Sequence, residues 1–405
     1  MPMIARFRLA RAAAMAVVAT FAAPATAQHA EHTPMAAAKP TAAKELGTSA
    51  AFAPDGKLWI ARKEGQFVVV QSSDDDGRSW SGARLVNGQP EAISADGENR
   101  PKIAFTPAGE ALVSWTKPLA KPYTGEIRLA RSGDGGATFT PPITVHQDRS
   151  EITHRFESLL VGADGRITVA WIDKRDLEAN KGKKDAYRGA AIYSAVSTDG
   201  GRNFAAEKKV ADHSCECCRI AAALDRDGTP LLLWRHVFAP NERDHALARL
   251  KPDGSAKSVQ RATFDHWQVD ACPHHGPSLA VDARGTRHAV WFNQKGGEGR
   301  VFYGRLVPAG DAIQVQGQRA VGGPRAAHAD LATAGSRVAI VWKEFDGERT
   351  VLQAMLSGDG GDSFQTATLA ATDGASDQPR VLRRGDALFA FWRTDKEGFR
   401  LVPLP

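Results

Sequence analysis

All four cysteines of the 405-residue chain lie in two short segments that also carry histidine. The first segment is HSCECCR, residues 213–219, and the second is ACPHHGP, residues 271–277. Thiolate and imidazole groups are ligands that bind zinc and copper in proteins. An even number of cysteines is also typical of a disulfide-bonded exported protein. The chemistry therefore depends on how the chain brings the two segments together.

A long repeat predicts that the two segments lie side by side. Turn residues recur every 50 to 63 residues, at Gly56, Gly109, Gly165, Gly228, Gly285, Ser336 and Asp386. Six residues after the last six of these turns stands a tryptophan, namely Trp115, Trp171, Trp234, Trp291, Trp342 and Trp392. Each tryptophan ends an apolar run typical of a buried strand, whereas the first repeat has Arg62 in that place. Seven copies of one strand–turn–strand unit indicate a repeat architecture.

Aligning the repeats on these turns places reactive residues of different repeats in equivalent positions. Cys215 corresponds to Cys272, Cys217 to His154 and His274, and Cys218 to His275. Equivalent strand starts in a closed ring of repeats meet around its central channel. The sequence therefore predicts one cluster of thiols and imidazoles over that channel.

A second, shorter motif recurs four times with the pattern Ser-x-Asp-x-Gly-x-x-aromatic. Its copies are SDDDGRSW, SGDGGATF, STDGGRNF and SGDGGDSF. The aspartate can accept hydrogen bonds from nearby backbone amides, and glycine supplies the positive φ of a tight hairpin. The motif aspartates are therefore predicted to be structural; they are Asp75, Asp134, Asp199 and Asp359.

This octet resembles the Asp-box, or BNR repeat, of the sialidase-like β-propeller superfamily. The resemblance implies an all-β fold in which the octet joins the third and fourth strands of a blade, away from the active site. Seven repeats predict a seven-bladed β-propeller of four-stranded antiparallel blades, with six blades as the alternative. The last repeat ends after three strands, and a strand near residues 41–46 is predicted to complete it.

Three hypotheses remain open for the cysteine and histidine residues. Cys215 and Cys272, equivalent on neighbouring blades, are candidates for a structural disulfide. A metal site would hold copper or zinc, with the candidate ligands Cys217, Cys218, His154, His274 and His275. The third hypothesis is a redox dithiol that works by exchange.

The resemblance also implies an enzymatic alternative, because sialidases hold the substrate carboxylate with three arginines. The residues that would serve such a glycoside hydrolase here are Arg100, Arg155, Arg219, Arg325, Asp173 and Glu157. The Phe/Tyr-Arg-Ile-Pro motif of that family is absent, and the Asn-Arg-Pro run at residues 99–101 matches it only in part. We therefore expect an exported binding or metal-handling propeller, with a sialidase-like hydrolase or a protein-interaction scaffold as alternatives.

The chain begins with a segment typical of a secretory signal peptide. Arg6, Arg8 and Arg11 precede an apolar run, and residues 25–27 form an Ala-x-Ala cleavage site. We predict a signal peptide over residues 1–27, a flexible lead-in over 28–44 and one propeller domain over 45–405. Loss of these three arginines lowers the formal charge from +6 to +3, too small to favour nucleic acid. We predict a periplasmic or secreted monomer without a membrane span, which binds a small molecule, metal ion or glycan.

Overall fold

A computed structural model describes residues 45–183, 187–269, 273–294 and 297–405, and the backbone of Lys295. The described chain forms seven antiparallel sheets, six with four strands and one with three. Each sheet is built from strands that are consecutive in the chain, and each inner strand contacts the inner strands of its neighbours. The predicted seven-bladed β-propeller is therefore confirmed, and the six-bladed alternative is wrong.

The blades follow one another in chain order, and each is given from its inner strand outward. Blade 1 has β1 (Thr48–Phe52), β2 (Leu58–Glu64), β3 (Phe67–Ser73) and β4 (Arg84–Leu85); blade 2 has β5 (Lys102–Phe105), β6 (Ala111–Pro118), β7 (Gly125–Ser132) and β8 (Ile143–Thr144). Blade 3 has β9 (His154–Val161), β10 (Ile167–Asp173), the helix α1 (Arg175–Ala179), β11 (Ala190–Ser197) and β12 (Lys208–Ser214). Blade 4 has β13 (Ala221–Leu224), β14 (Pro230–Arg235), β15 (His245–Leu250) and β16 (Ala256–Arg261).

The remaining blades repeat this plan. Blade 5 has β17 (Ser278–Val281), β18 (Arg287–Lys295), β19 (Glu298–Ala309) and β20 (Ala312–Val321); blade 6 has β21 (Ala327–Ala334), β22 (Arg337–Phe345), β23 (Thr350–Ser357) and β24 (Gln365–Thr372). Blade 7 has β25 (Arg380–Arg384), β26 (Ala387–Thr394) and β27 (Gly398–Leu404). Of the strand predicted to complete it, Glu45 and Leu46 are not in a strand, and residues 41–44 lie outside the described residues.

The six repeated tryptophans fill the interfaces between blades. Each is at most 1% exposed, and each packs in a core shared with the preceding blade. Trp115, for example, lies with Val68 and Val70 of blade 1. Burying one large aromatic side chain at each interface supplies the main apolar contact between neighbouring sheets. The period of the tryptophans in the sequence is therefore the period of the blades.

The Asp-box turns join the third and fourth strands of blades 1, 2, 3 and 6. In blade 2, the carboxylate of Asp134 accepts hydrogen bonds from the Thr138 hydroxyl (2.6 Å), the Thr138 amide (3.0 Å) and the Ser132 hydroxyl (2.7 Å). These bonds lower the pKa of Asp134 to about 2. Phe139, the aromatic residue of the motif, packs against the core between blades 1 and 2. The same contacts recur around Asp75 and Asp359, and at Asp199 the side-chain amide of Asn203 donates in place of the hydroxyl, so these aspartates hold the turns.

The ring closes through a buried arginine. Arg100, which is 0% exposed, donates from Nη1 to Asp377 Oδ2 at 2.7 Å and to the Thr48 carbonyl oxygen at 2.9 Å. Its Nη2 donates to Gln378 Oε1 at 3.0 Å. The Thr48 amide donates to the same Asp377 oxygen at 2.9 Å. One guanidinium therefore joins the first strand of the ring to the start of the last blade.

Replacing this arginine is expected to weaken the whole ring. Arg100→Ala leaves the Asp377 carboxylate buried without its cation, which should lower the free energy of unfolding by about 3–5 kcal/mol. Arg155→Ala is the matched control, since Arg155 pairs with the largely exposed Asp96 and should cost less than about 1 kcal/mol. Urea denaturation of both variants measures the difference, and equal losses would contradict this role of Arg100.

Candidate functional site

The HSCECCR segment connects the outer strand of blade 3 to the inner strand of blade 4. It lies on the upper face, which we define as the face carrying the starts of the inner strands and the loops between second and third strands. The Cys215 amide donates to the Arg235 carbonyl at 2.9 Å, and the Val237 amide donates to the His213 carbonyl at 2.7 Å. Two backbone bonds to the end of β14 therefore fix the position of the cysteines.

Close packing surrounds this segment. Gly189, at the start of β11, has φ +65°, and a Cβ atom there would lie 2.0 Å from the Ser214 carbonyl oxygen. Only glycine lets the backbone of β11 approach the segment so closely. The cysteines that follow pack in the core between blades 3 and 4.

Three thiols meet in this space. Cys215 Sγ lies 3.7 Å from Cys217 Sγ and 3.8 Å from Cys218 Sγ, and all three sulfur atoms lie within 4.8 Å of one another. These distances are far longer than a disulfide bond. The three residues are 1%, 6% and 2% exposed and belong to the hydrophobic core shared by blades 3 and 4. We call this group the thiol cluster.

The contacts within the thiol cluster shift the pKa of Cys215 and those of the other two thiols in opposite directions. Hydrogen bonds from Cys217 and Cys218 hold the pKa of Cys215 well below its usual value, and the positive charge of Arg235 acts in the same direction. The same bonds raise the pKa of Cys217 and of Cys218, because these two thiols act as donors to Cys215. Among the three thiols, a negative charge is therefore most favourable on Cys215.

The structure places the predicted histidine ligands elsewhere. His154 Nδ1 bonds the Gly125 carbonyl oxygen at 3.0 Å, and its Nε2 lies 3.6 Å from Asp173 Oδ2. His274 is exposed, and His275 stacks on His328 with the ring centroids 4.3 Å apart. Within the described residues, no histidine forms a compact ligand group with the thiols. Cys272 lies outside the described residues, so the Cys215–Cys272 disulfide stays a prediction.

The thiol cluster lies beside the central channel and not over it, which corrects the predicted position. The channel holds a cavity of about 440 Å³ lined by the inner strands of all seven blades. Its charged residues are Lys102, Arg219, Asp330 and Arg380, and its described lining contains no cysteine. The cysteine side chains turn away from the axis because the core between blades 3 and 4 receives them.

The histidine at the start of β9 belongs to a separate group between blades 2 and 3. His154 stacks on His146 with ring centroids 3.9 Å apart. Asp173 accepts hydrogen bonds from Trp171 Nε1 at 2.9 Å and from Arg175 Nη2 at 2.8 Å. His146 Nε2 accepts a bond from the Ile127 amide at 3.1 Å. Asp173 therefore orders the end of β10 and is already fully hydrogen-bonded by the protein.

Two of the predicted substrate-binding arginines are paired inside the protein. Arg100 pairs with Asp377, as described above, and Arg219 Nη1 lies 3.1 Å from Glu98 Oε1. Glu98 also accepts bonds from the Gly276 amide at 2.9 and 3.0 Å. Burial alone would raise the pKa of Glu98, but Arg219 and His328 hold it below its ordinary value. Both guanidinium groups are therefore neutralised by the protein's own carboxylates.

The other residues predicted for a hydrolase also contact groups of the protein. Arg155 Nη2 pairs with Asp96 at 3.1 Å, and Glu157 accepts from the Thr116 hydroxyl at 2.9 Å. Arg325 is exposed and lies over the ring of Phe345. Three of the four arginines are therefore paired with carboxylates of the protein and are not free to hold the carboxylate of a substrate.

Sequence reasoning missed the partners of these groups. Glu98 and His328 complete the surroundings of Arg219, and Arg235 supports the thiolate of Cys215. The sequence does not single out Arg235, since a charged residue also follows the repeat tryptophan at Lys343 and at Arg393. Another compact group, Glu242, Asp244 and His266, contains the guanidinium of Arg261 between its carboxylates, so an arginine fills that position.

Solved structures resemble this chain in fold. A PL25 ulvan lyase matches with a TM-score of 0.56 at 12% identity, covering 89% of this chain and 92% of that one. The polysaccharide lyase Uly1 matches at 0.54 and 10%, covering 86% and 88%. The Hadza microbial sialidase Hz136 matches at 0.51 and 15%, covering 84% and 74%. The chain has the sialidase-like β-propeller fold.

The other comparisons add no relative. No protein-family model and no curated protein matches the chain. Among the described residues, no helix is long and apolar enough to cross a membrane. The fold is therefore established by structure, while the activity must be argued from the residues of this chain.

The buried histidines predict that stability falls in mild acid. Burial lowers the pKa of His146, His236 and His275 to about 3 each, against about 6.5 in the unfolded chain. Below pH 6.5 these histidines are protonated in the unfolded state but stay neutral in the folded state. The free energy of unfolding is therefore highest above pH 6.5 and decreases as the pH falls. The loss should approach roughly 1.4 kcal/mol per pH unit for each histidine.

Urea denaturation at pH 7, 6 and 5 measures this dependence, above the range in which carboxylates titrate. His236→Gln should reduce the slope by less than one third, since burial also lowers the pKa of His245, His288 and His328. A free energy of unfolding that is constant between pH 7 and 5 would contradict the neutral, buried state of these histidines.

Proposed function

We propose that this protein is an exported metal-binding propeller whose thiol cluster holds zinc. The observation that carries the proposal is the spacing of the sulfur atoms. A tetrahedral zinc with Zn–S bonds of about 2.3 Å holds its sulfur ligands about 3.8 Å apart. The measured separations from Cys215 are 3.7 and 3.8 Å.

The charge and the surroundings of the thiol cluster also favour a cation. Three thiolates carry three negative charges, and burying them without a cation would be very costly. A divalent cation removes most of this charge, and the nearby guanidinium of Arg235 compensates further. A tetrahedral site would need a fourth ligand outside these three. Cys272, which the sequence predicts only as the disulfide partner of Cys215, lies outside the described residues.

The enclosure of the cluster predicts how the metal is held. Its cysteines lie in the core with Trp234 and Ile192, and none is more than 6% exposed. Zinc there would be retained firmly and would fix the connection between blades 3 and 4, as structural zinc sites do. The sialidase-like alternative receives no support from the geometry, because Arg100 and Arg219 are paired with carboxylates of the protein.

Elemental analysis of the purified protein tests this proposal. We expect about one zinc per chain, and Cys217→Ser should lower zinc affinity by more than the roughly 10–100-fold typical of changes outside the ligand shell. His154→Gln is the control, since His154 bonds groups of blades 2 and 3 and should leave the metal content unchanged. If the analysis finds copper(I) and no zinc, the proposed thiolate site stands and the identity of the metal changes.

A count of free thiols separates the metal site from a disulfide. After unfolding in a chelator without reductant, the metal site predicts four reactive thiols per chain, since the sequence has four cysteines. A Cys215–Cys272 bridge predicts two. Two thiols together with no bound metal, even after incubation with zinc and dialysis, would contradict the proposal.

A further inference from the structure

Arg62 occupies the place that tryptophan takes in the other six repeats. The interface between blades 7 and 1 is filled instead by phenylalanine and aliphatic residues, among them Phe389 and Phe391. A guanidinium in this position is not required for the packing that tryptophan supplies elsewhere. Its surroundings on the upper face therefore indicate what it does.

Arg62 and Arg393 flank the same residue of blade 1. Arg62 pairs with Thr48 across β1 and β2, and Arg393 Nη1 donates to Thr48 Oγ1 at 2.9 Å. Both arginines line a cleft of about 500 Å³ between blades 7 and 1, with Phe399 as an apolar wall. This volume lies within the range of about 300–1,000 Å³ that is typical of small-molecule sites.

The hydrogen bonds leave donors of both arginines available. In the described part of the chain, both hydrogen bonds of Arg393 use Nη1, to Thr48 and to the Leu46 carbonyl oxygen. Its Nε–Nη2 edge is therefore free to form a fork, and the guanidinium is fixed 5.2 Å from the Phe399 ring centroid. Arg62 Nη2 donates to Gln71 Oε1 at 3.1 Å, whereas its Nε is buried and has no hydrogen-bond partner among the described residues.

The two cations repel each other in this partly buried cleft. Burial lowers the pKa of Arg393, and the charge of Arg62 lowers it further. Glu64 and Asp395 also line the cleft. Glu64 pairs with Arg62 Nη1 at 2.7 Å, but its side chain is 59% exposed, and exposed ion pairs are weak. An incoming anion could therefore replace Glu64 at little cost.

We propose that this cleft, formed by Arg62 and Arg393 where the ring closes, binds an oxyanion such as a phosphate or carboxylate group. Guanidinium forks match both groups in geometry, and Arg is preferred over Lys for such contacts. The ligand would relieve the repulsion between the arginines and would bridge the first and last blades. This site is separate from the thiol cluster and does not depend on it.

Titration with inorganic phosphate, followed by heteronuclear NMR and by the melting temperature, tests the proposal. Arg62→Gln and Arg393→Gln should each weaken phosphate binding by roughly tenfold or more. Arg62→Trp restores the residue of the other repeats and should abolish binding. Glu64→Gln removes the competing carboxylate and should tighten it. The control is Arg155→Gln, an upper-face arginine outside the cleft, which should bind as the wild type does.

The remaining outcomes are also decisive. Acetate and glycerol phosphate, titrated at matched ionic strength, show whether a carboxylate or a phosphate group is preferred. General stabilisation by phosphate would raise the melting temperature of all variants equally and would overturn the proposal. The absence of any chemical-shift change at about 10 mM phosphate, roughly ten times a Kd of 1 mM, would also overturn it. So would a Glu64→Gln variant that binds phosphate more weakly.

Discussion

The structure depends on each blade burying one face of its sheet against the next blade. Six of the seven interfaces meet this requirement with a tryptophan that is almost completely buried. Because every blade follows the same order of antiparallel strands, the inner strands all start at the same end of the channel. The blade-to-blade connections therefore lie on the upper face, together with the thiol cluster, the buried Arg100 and the cleft of Arg62 and Arg393.

The seventh interface is built differently, since the ring must be closed by parts of the chain that are far apart in sequence. Phenylalanine replaces tryptophan there, and Arg100 bonds both Asp377 and Thr48 inside the closure. A buried ion pair contributes little net stability, because both charges must be desolvated. A buried charge that lacks its partner, however, is very unfavourable. The charges therefore specify which blades meet, while the apolar residues provide the contact.

The fold could be predicted from the sequence because its signals are local and periodic. The spacing of Trp115, Trp171 and the later tryptophans gave the number of blades, and the Ser-Asp-Gly octets marked the turns. The pairing of charges could not be predicted, since Arg100 and Asp377 are 277 residues apart and Arg219 and Glu98 are 121 apart. Nothing in a local pattern identifies such partners.

The candidate site was predicted only in part, because repeat alignment gives the position of the backbone and not the direction of a side chain. His154 and Cys217 are equivalent in the alignment, yet His154 packs towards blade 2 while Cys217 enters the core between blades 3 and 4. Phe156, close to His154, has φ +58°, and the pairing of β9 with β10 shifts register at this point. A bulge of this kind redirects neighbouring side chains.

The central claim is that three cysteine sulfurs of one blade-to-blade connection bind a single metal ion. X-ray absorption at the zinc K-edge of the purified protein tests it most directly, since it reports the ligand atoms and their distances. The account predicts a shell of at least three sulfur neighbours at about 2.3 Å, reduced in Cys217→Ser. A shell made only of nitrogen and oxygen, or a protein whose thiols are intact and which binds no zinc, would contradict it.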